Sequence, residues 1–386
     1  MRFLISFLLF ASFSTFDAQI TGSSCYTYYK ESGQCVSVRK CKTIWKLILE
    51  APRPLPERLT EYIRNSQCGN PQDQSICCRP QDIEGNEPVN PQPSVNRNTG
   101  SNGISNHRNL RLLDLVNCGS ATGDRISNGN QTSLFEFPWS ALLGYENTFG
   151  DVEYRCGGTL ITSKTVLTAA HCIRDGHQSR LTTVRLGEYD TSTQQDCQSN
   201  ARDSVCAPPV QEIPIRSTLI HPDYDKNRYL NDIALVRLQY SADTSDFAVK
   251  TICLPITQQL LRSNPQSFVV TGWGATEQGR KSDVLLKAKV SLHPHDRCQE
   301  AISRLSKRVQ ITEAHLCAVG VGNNVDTCSG DSGGPIQVAA NFNNDVRIVQ
   351  YGIISFGPNS CGNSGTYPGV YTNLRHFLTW VLDNIS

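Results

Sequence analysis

Several things are scarce in this sequence of 386 residues. It has one methionine and four tryptophans, only 18 % of its residues are charged, and 36 Lys+Arg against 35 Asp+Glu leave a net charge of +1. A nucleic-acid binder or a surface held by anionic lipid needs a clear basic excess, so this balance argues against both. So small a net charge also argues against charge-driven disorder of the whole chain. Beyond the N-terminus, no apolar run approaches the roughly 18 residues that a membrane helix needs.

Cysteine, by contrast, is abundant. Sixteen residues of it, an even number, point to an oxidising compartment and against a cytosolic enzyme. The N-terminus agrees. Arg2 precedes an apolar run from Phe3 to Phe13, broken only by Ser6 and Ser12, which suits a secretion signal and is too short to span a bilayer. A signal peptide is expected over residues 1–18, cut after Ala18, with a secreted, extracellular product.

Cysteine density divides the mature chain. Cys25, Cys35, Cys41, Cys68, Cys77 and Cys78 crowd into residues 25–78, a segment too small to stabilise itself by burial alone. Three bridges would supply the constraint, and spacing leaves their connectivity open. From Arg79 to about Arg108 the chain is rich in Pro, Asn, Gly and Ser, and it reads as a flexible linker. The rest carries the other ten cysteines and short strand-like runs at Thr183–Leu186, Ile233–Leu238, Phe268–Thr271 and Ile348–Ile354. One strong helix is predicted, an apolar stripe of Leu374, Phe377, Leu378, Val381, Leu382 and Ile385. Many short strands with one terminal helix predict an all-β sandwich or barrel pair.

Three segments carry chemistry. Cys328-Ser329-Gly330-Asp331-Ser332-Gly333-Gly334-Pro335 offers a serine among glycines, where the amides of Gly330 and Ser332 could bind a developing oxyanion. A serine hydroxyl needs a base to take its proton. Thr168-Ala169-Ala170-His171-Cys172 supplies a histidine, and Asn231-Asp232-Ile233-Ala234-Leu235 a carboxylate that could orient it.

Together these resemble the trypsin-like (chymotrypsin-fold) serine proteases. The order His171, Asp232, Ser332 matches, as do Gly272-Trp273-Gly274, Pro138-Trp139 and Pro368-Gly369-Val370-Tyr371, and the resemblance covers about residues 118–386. It implies two packed six-stranded antiparallel β-barrels with a C-terminal helix. It also implies Ser332 as nucleophile, His171 as general base and then acid, and Asp232 as the group that fixes the imidazole tautomer. Six residues before Ser332, Asp326 takes the place of the specificity-pocket floor, with Gly357 and Gly369 as open walls, so cleavage after Arg or Lys is expected.

Asp124-Arg125-Ile126-Ser127-Asn128-Gly129 resembles the family's activation site. Cleavage after Arg125 would free the Ile126 amine to pair with Asp331 and so order the pocket and oxyanion loop. The resemblance implies bridges Cys118–Cys253, Cys156–Cys172, Cys298–Cys317 and Cys328–Cys361, with Cys197 and Cys206 left to pair in a surface loop. The six-cysteine segment, with its adjacent Cys77-Cys78 pair, resembles a clip domain of arthropod proteases; residues 79–125 would then be linker and activation segment, and residues 126–386 the protease domain. Family pairing would be Cys25–Cys77, Cys35–Cys68 and Cys41–Cys78.

Weaker sites complete the reading. Glu188 and Asp196, with carbonyls of Asp190 and Thr193, resemble a structural calcium loop; no cofactor is expected for the chemistry itself. Asn130-Gln131-Thr132 is a glycosylation sequon, Asn384-Ile385-Ser386 qualifies only formally, and His293-Pro294-His295 reads as a solvated turn. The expected function is a secreted, zymogen-activated endopeptidase of an arthropod immune or developmental cascade, in the melanisation (prophenoloxidase) or Toll branch. Its expected partners are an upstream trypsin-like activator, a protein substrate with an exposed Arg or Lys, and a serpin-type inhibitor, without nucleic acid or a membrane span. The competing readings are a digestive trypsin, disfavoured by the clip module, and a non-catalytic clip-domain cofactor whose protease domain is a scaffold.

Overall fold

The computed structural model describes residues 24–27, 32–50, 54–68, 74–79, 82–83, 104–120, 131–173, 179–199, 204–275, 280–321, 330–357 and 367–385. The chain divides into two compact units, Met1–Arg97 and Asn98–Ser386.

The smaller unit is a three-stranded antiparallel sheet of β1 (Ser24–Tyr26), β2 (Ser32–Ser37) and β3 (Ser75–Cys78), with helices α1 (Lys42–Glu50) and α2 (Glu57–Asn65) between β2 and β3. Its apolar core is small, built on Val36, Ile44, Ile76 and Ile83 beside the cystines. Successive strand residues face opposite sides, so the adjacent Cys77 and Cys78 reach different partners. Cys77 bonds Cys25 on β1, Cys78 bonds Cys41 just ahead of α1, and Cys35 bonds Cys68. These are the three pairings that the resemblance implied.

In the larger unit the first closed barrel runs β10-β11-β6-β5-β4-β7. Its strands are β4 (Ser140–Glu146), β5 (Val152–Thr162), β6 (Thr165–Thr168), β7 (Arg180–Leu186), β10 (Gln211–Ile220) and β11 (Ala234–Leu238). A separate hairpin, β8 (Cys197–Ser199) with β9 (Ser204–Cys206), is closed by the Cys197–Cys206 bridge. The second closed barrel runs β12-β13-β14-β17-β16-β15. It comprises β12 (Ser267–Gly272), β13 (Leu286–Leu292), β14 (His315–Gly320), β15 (Pro335–Phe342), β16 (Asp345–Phe356) and β17 (Gly369–Asn373). The expected barrel pair is therefore present, and each of the four strand-like runs falls within a strand or begins one residue ahead of it.

One apolar core runs through both barrels, with Trp139, Tyr145, Tyr351 and Tyr371 fully buried. A buried polar chain runs through it: the Trp139 indole donates to Gln337 Oε1 at 2.7 Å, and Gln337 Nε2 donates to Thr271 Oγ1 at 3.2 Å. The larger unit has four helices among the described residues: α3 (Ala170–Ile173), α4 (Gln258–Arg262), α5 (His295–Leu305) and α6 (Leu374–Asn384). The stripe of α6 is buried as predicted, at Leu374, Phe377, Leu378, Val381 and Leu382. Helix α5 was not expected. It buries only Cys298 and Ile302, too little for a visible stripe, and the Cys298–Cys317 bridge fastens it to β14. The same helix takes in the supposed turn at His293-Pro294-His295: Pro294 is its N-cap, and His295 Nε2 meets the His315 carbonyl at 2.9 Å.

Part of the stretch between the two modules is folded. Residues Ile104–Asn106 and Arg108–Leu112 form 3-10 turns, and Ile104, Leu110, Leu113 and Leu115 pack on the barrel core. His107 Nε2 lies 2.9 Å from Asp383 Oδ1 on α6, and Asn109 Nδ2 donates to the Leu382 carbonyl at 2.8 Å. The Cys118–Cys253 bridge then ties the end of this segment to the chain just after the first barrel, and Gly119 N donates to the Thr251 carbonyl at 2.8 Å. No helix of the described residues is long and apolar enough to cross a membrane. The signal peptide, Arg125, Ile126, Asn130, Asp326 and the Cys328–Cys361 pair lie outside the described residues.

Candidate active site

His171 sits on α3, immediately after β6. Ala169 and Ala170 are fully buried, and such small side chains let the turn lie close against the barrel. The Cys156–Cys172 bridge pins the turn to β5, and Tyr145 Oη donates to the Cys172 carbonyl at 2.8 Å.

Asp232 precedes β11 and is 1 % exposed. One carboxylate oxygen, Oδ1, accepts from the His171 backbone N–H at 2.9 Å. The other, Oδ2, lies 2.8 Å from His171 Nδ1 and accepts from Ser355 Oγ at 2.5 Å. Burial pushes the Asp232 carboxyl up, but the adjacent imidazole and these hydrogen bonds outweigh it and hold the group below the usual carboxylate range. An ionised carboxylate only accepts, so Nδ1 carries the imidazole proton and Nε2 keeps its lone pair. Nε2 is thus the atom able to take a proton.

Ser332 lies in the turn that leads into β15. Its carbonyl accepts from Gly157 N on β5 at 2.8 Å. The Cys172 sulfur is 3.6 Å from that carbonyl and 3.7 Å from His171 Nε2, so Ser332 and His171 adjoin the same cystine. Gly333 shows why the turn needs glycine. Its φ is +84°, and a Cβ there would run into Thr168 Oγ1 and the Gly157 carbonyl.

Next to Ser332, Asp331 Oδ1 accepts from Gly274 N at 2.8 Å. A Cβ on Gly272 or Gly274 would overlap the Asp331 carboxylate, which accounts for both glycines of Gly272-Trp273-Gly274. Gly357 and Gly369, the expected wall positions, also meet. A Cβ added to Gly357 would lie 3.8 Å from Gly369 Cα, with no other atom of the described residues within 4 Å.

Two supporting residues escaped the sequence reading. Ser355 bonds Asp232 Oδ2, and Thr372 Oγ1 donates to the Asp232 carbonyl at 2.7 Å. Both stand near strand ends of the second barrel, so Asp232 is held from both barrels: its carboxylate by His171 and Ser355, its carbonyl by Thr372. Neither has a sequence signal beyond strand patterning, because only the barrel contact gives it a partner.

The loop read as a cation site is compact. Asp196 Oδ2 accepts from Tyr189 N at 2.9 Å and Asp190 N at 3.2 Å, while Oδ1 accepts from Thr193 Oγ1 at 2.6 Å. Glu188 and Asp196 are both buried. Burial first, and then the Asp196 charge, push the Glu188 carboxyl up, against the pull of Arg185 at 3.2 Å. Two buried carboxylates that repel one another are a donor set that a hard cation fits. Among the described residues, Cys156, His171 and Cys172 form the one group of three His, Cys, Asp or Glu donors close enough for a metal. Its two sulfurs are bonded to each other, so it offers no thiolate and is not a metal centre.

Comparison with known proteins agrees with this geometry. Residues 126–381 match the trypsin family, and residues 25–78 match the regulatory CLIP domain of proteinases. The chain is 36 % identical to Serine protease grass of Drosophila melanogaster over 370 residues, covering 94 % of this chain and 91 % of that one. It is 35 % identical to Melanization protease 1 (98 % and 96 % covered) and to Spaetzle-processing enzyme (96 % and 93 %), both also of Drosophila melanogaster. Among solved structures it matches the Drosophila Grass clip serine protease of the Toll pathway, with a TM-score of 0.60 and 34 % identity over 94 % of this chain and 97 % of that one.

Proposed function

Since the chain belongs to the trypsin family of serine proteases and carries a CLIP domain ahead of its protease domain, we propose that it is the secreted zymogen of an endopeptidase that cleaves after Arg or Lys. The observation that carries this reading is the His171–Asp232 pair at 2.8 Å, with the Ser332 turn beside it. Ser332 Oγ attacks the scissile carbonyl carbon as its proton passes to His171 Nε2. His171 returns that proton to the leaving amine, and water repeats the sequence on the acyl-enzyme. The Gly330 and Ser332 amides take the oxyanion charge. Asp326 pairs with the substrate cation, and Gly357 and Gly369 leave room for its long side chain. Cleavage after Arg125 by a trypsin-like activator releases the Ile126 amine to pair with Asp331. A calcium ion held by Glu188, Asp196 and the carbonyls of Asp190 and Thr193 would stiffen its loop.

The names of the relatives support a place in a cascade of the Toll or melanisation type. In it the activated protein would cut a protein substrate, and a serpin-type inhibitor would stop it. The seven disulfides among the described residues suit secretion. An active-site titrant that acylates serine tests the reading. Stoichiometric burst labelling of the cleaved protein, lost in Ser332→Ala, is the expected result; no labelling would favour a non-catalytic cofactor.

A further inference from the structure

His315 is 2 % exposed, yet both ring nitrogens are engaged. Thr312 N donates to Nδ1 at 3.1 Å, so Nδ1 is the proton-free nitrogen, and Nε2–H donates to the Tyr229 carbonyl at 3.2 Å. In register across the β14–β17 pair, His315 faces Thr372, whose hydroxyl holds the Asp232 carbonyl. Two opposed strand residues therefore grip two carbonyls of one loop, three residues apart.

That loop needs gripping. Tyr229 and Asn231 adopt φ of +53° and +55°, a left-handed backbone that a tyrosine, far more than an asparagine, keeps only where its surroundings over-determine it. The two ends of the grip are not equivalent. Asp232 is held independently by His171, Ser355 and Thr372, whereas His315 holds Tyr229. The half-buried Tyr229 ring lies against Phe356, centroids 4.4 Å apart, and Phe356 directly precedes Gly357.

We propose that His315 is a positioning residue for substrate recognition: by holding the Tyr229 carbonyl it fixes the Tyr229–Phe356 aromatic wall beside the active site. The inference rests on the protease reading above. The grip needs a neutral imidazole, because a protonated Nδ1 would confront the Thr312 N–H. Burial pushes the His315 imidazole down, and the nearby His295 acts in the same direction, while the hydrogen bond to the Tyr229 carbonyl and the Asp232 charge oppose it; the balance favours the neutral ring.

His315→Leu and His315→Gln, the latter able both to donate to Tyr229 and to accept from Thr312, test the assignment in the activated full-length protein. Two substrates are compared: a blocked tripeptide amide ending in Arg, with an apolar residue before it, and a blocked single-residue Arg ester that cannot reach the wall. Loss of one such hydrogen bond predicts that Leu raises KM for the tripeptide about tenfold, with kcat within about twofold and the ester unaffected. Gln should restore the tripeptide KM, and in a Tyr229→Ala background His315→Leu should add nothing. Equal losses on both substrates without rescue by Gln would assign His315 a merely structural role and overturn the proposal, as would an unchanged tripeptide KM. Wild-type protein inert toward both substrates is a different outcome, and it would remove the protease reading itself.

Discussion

The Lys287 ammonium donates to both oxygens of Glu136, at 2.7 and 2.9 Å, with both residues buried. Glu136 Oε2 also accepts from Ser133 N at 2.8 Å, and Thr132 Oγ1 donates to the Leu285 carbonyl at 2.8 Å. The pair thus fastens the start of the described protease domain to strand β13 of the second barrel. Removing one partner leaves the other charged and dry. Lys287→Met is expected to cost about 3–5 kcal/mol, read as a lowered denaturation midpoint, while Glu136→Leu with Lys287→Met recovers most of it. A single substitution without cost would contradict the finding.

Asp232→Asn tests the tautomer argument. An amide whose oxygen keeps the His171 backbone bond turns its NH2 toward Nδ1, where it donates and so no longer dictates a proton on that nitrogen. kcat is expected to fall about 10⁴-fold with little change in KM. A loss below tenfold would mean that the carboxylate does not set the imidazole.

Acid should weaken the fold through the same residue. The folded-state pKa of Asp232 is lowered, so its ionised form stabilises the native state at neutral pH. That contribution is complete above the ordinary carboxylate range and is lost as pH falls through the depressed folded value. Urea midpoints measured from neutral to acid pH should decline over that window in the wild type and less steeply in Asp232→Asn. Parallel slopes would argue against it.

Glu188 carries the opposite sign. Its carboxyl is raised, so the stability it contributes is present at acid pH and lost as pH rises through the folded value. A cation between Glu188 and Asp196 would remove that loss. Calcium at about a hundredfold excess over its Kd should add roughly 2.7 kcal/mol at neutral pH, less in acid, and nothing in Glu188→Gln. Identical melting with calcium and with chelator would exclude the site.

The segment ahead of the activation site should stay attached after cleavage. Protein cut after Arg125 is expected to run as one species without reductant and as two with it, because Cys118–Cys253 spans the cut. Packing of Ile104, Leu110, Leu113 and Leu115 adds a non-covalent hold. In Cys118→Ser with Cys253→Ser, the cut chains should still co-elute in size-exclusion chromatography; separation would show that the bridge acts alone.

Much of this was legible in the sequence because the informative residues are local. The Cys77-Cys78 pair, the glycines around Ser332 and the stripe of α6 each declare themselves within a few positions. The two barrels were visible only as short strands, and their closure followed from family resemblance, since strand order is not a local property. Helix α5 stayed hidden because a disulfide replaces most of its apolar face. Ser355, Thr372 and His315 stayed hidden for another reason: each acquires its role from a carbonyl or carboxylate far away in the chain, brought near only by barrel packing.

Hydrolysis of a basic peptide by the intact chain and by the same chain cut after Arg125 tests the central claim most directly. Negligible turnover before the cut, and turnover after it with Arg strongly preferred over Phe and abolished in Ser332→Ala, is the predicted result. A single-chain protein already at full rate, or a cut protein that leaves Arg peptides untouched, would contradict the account.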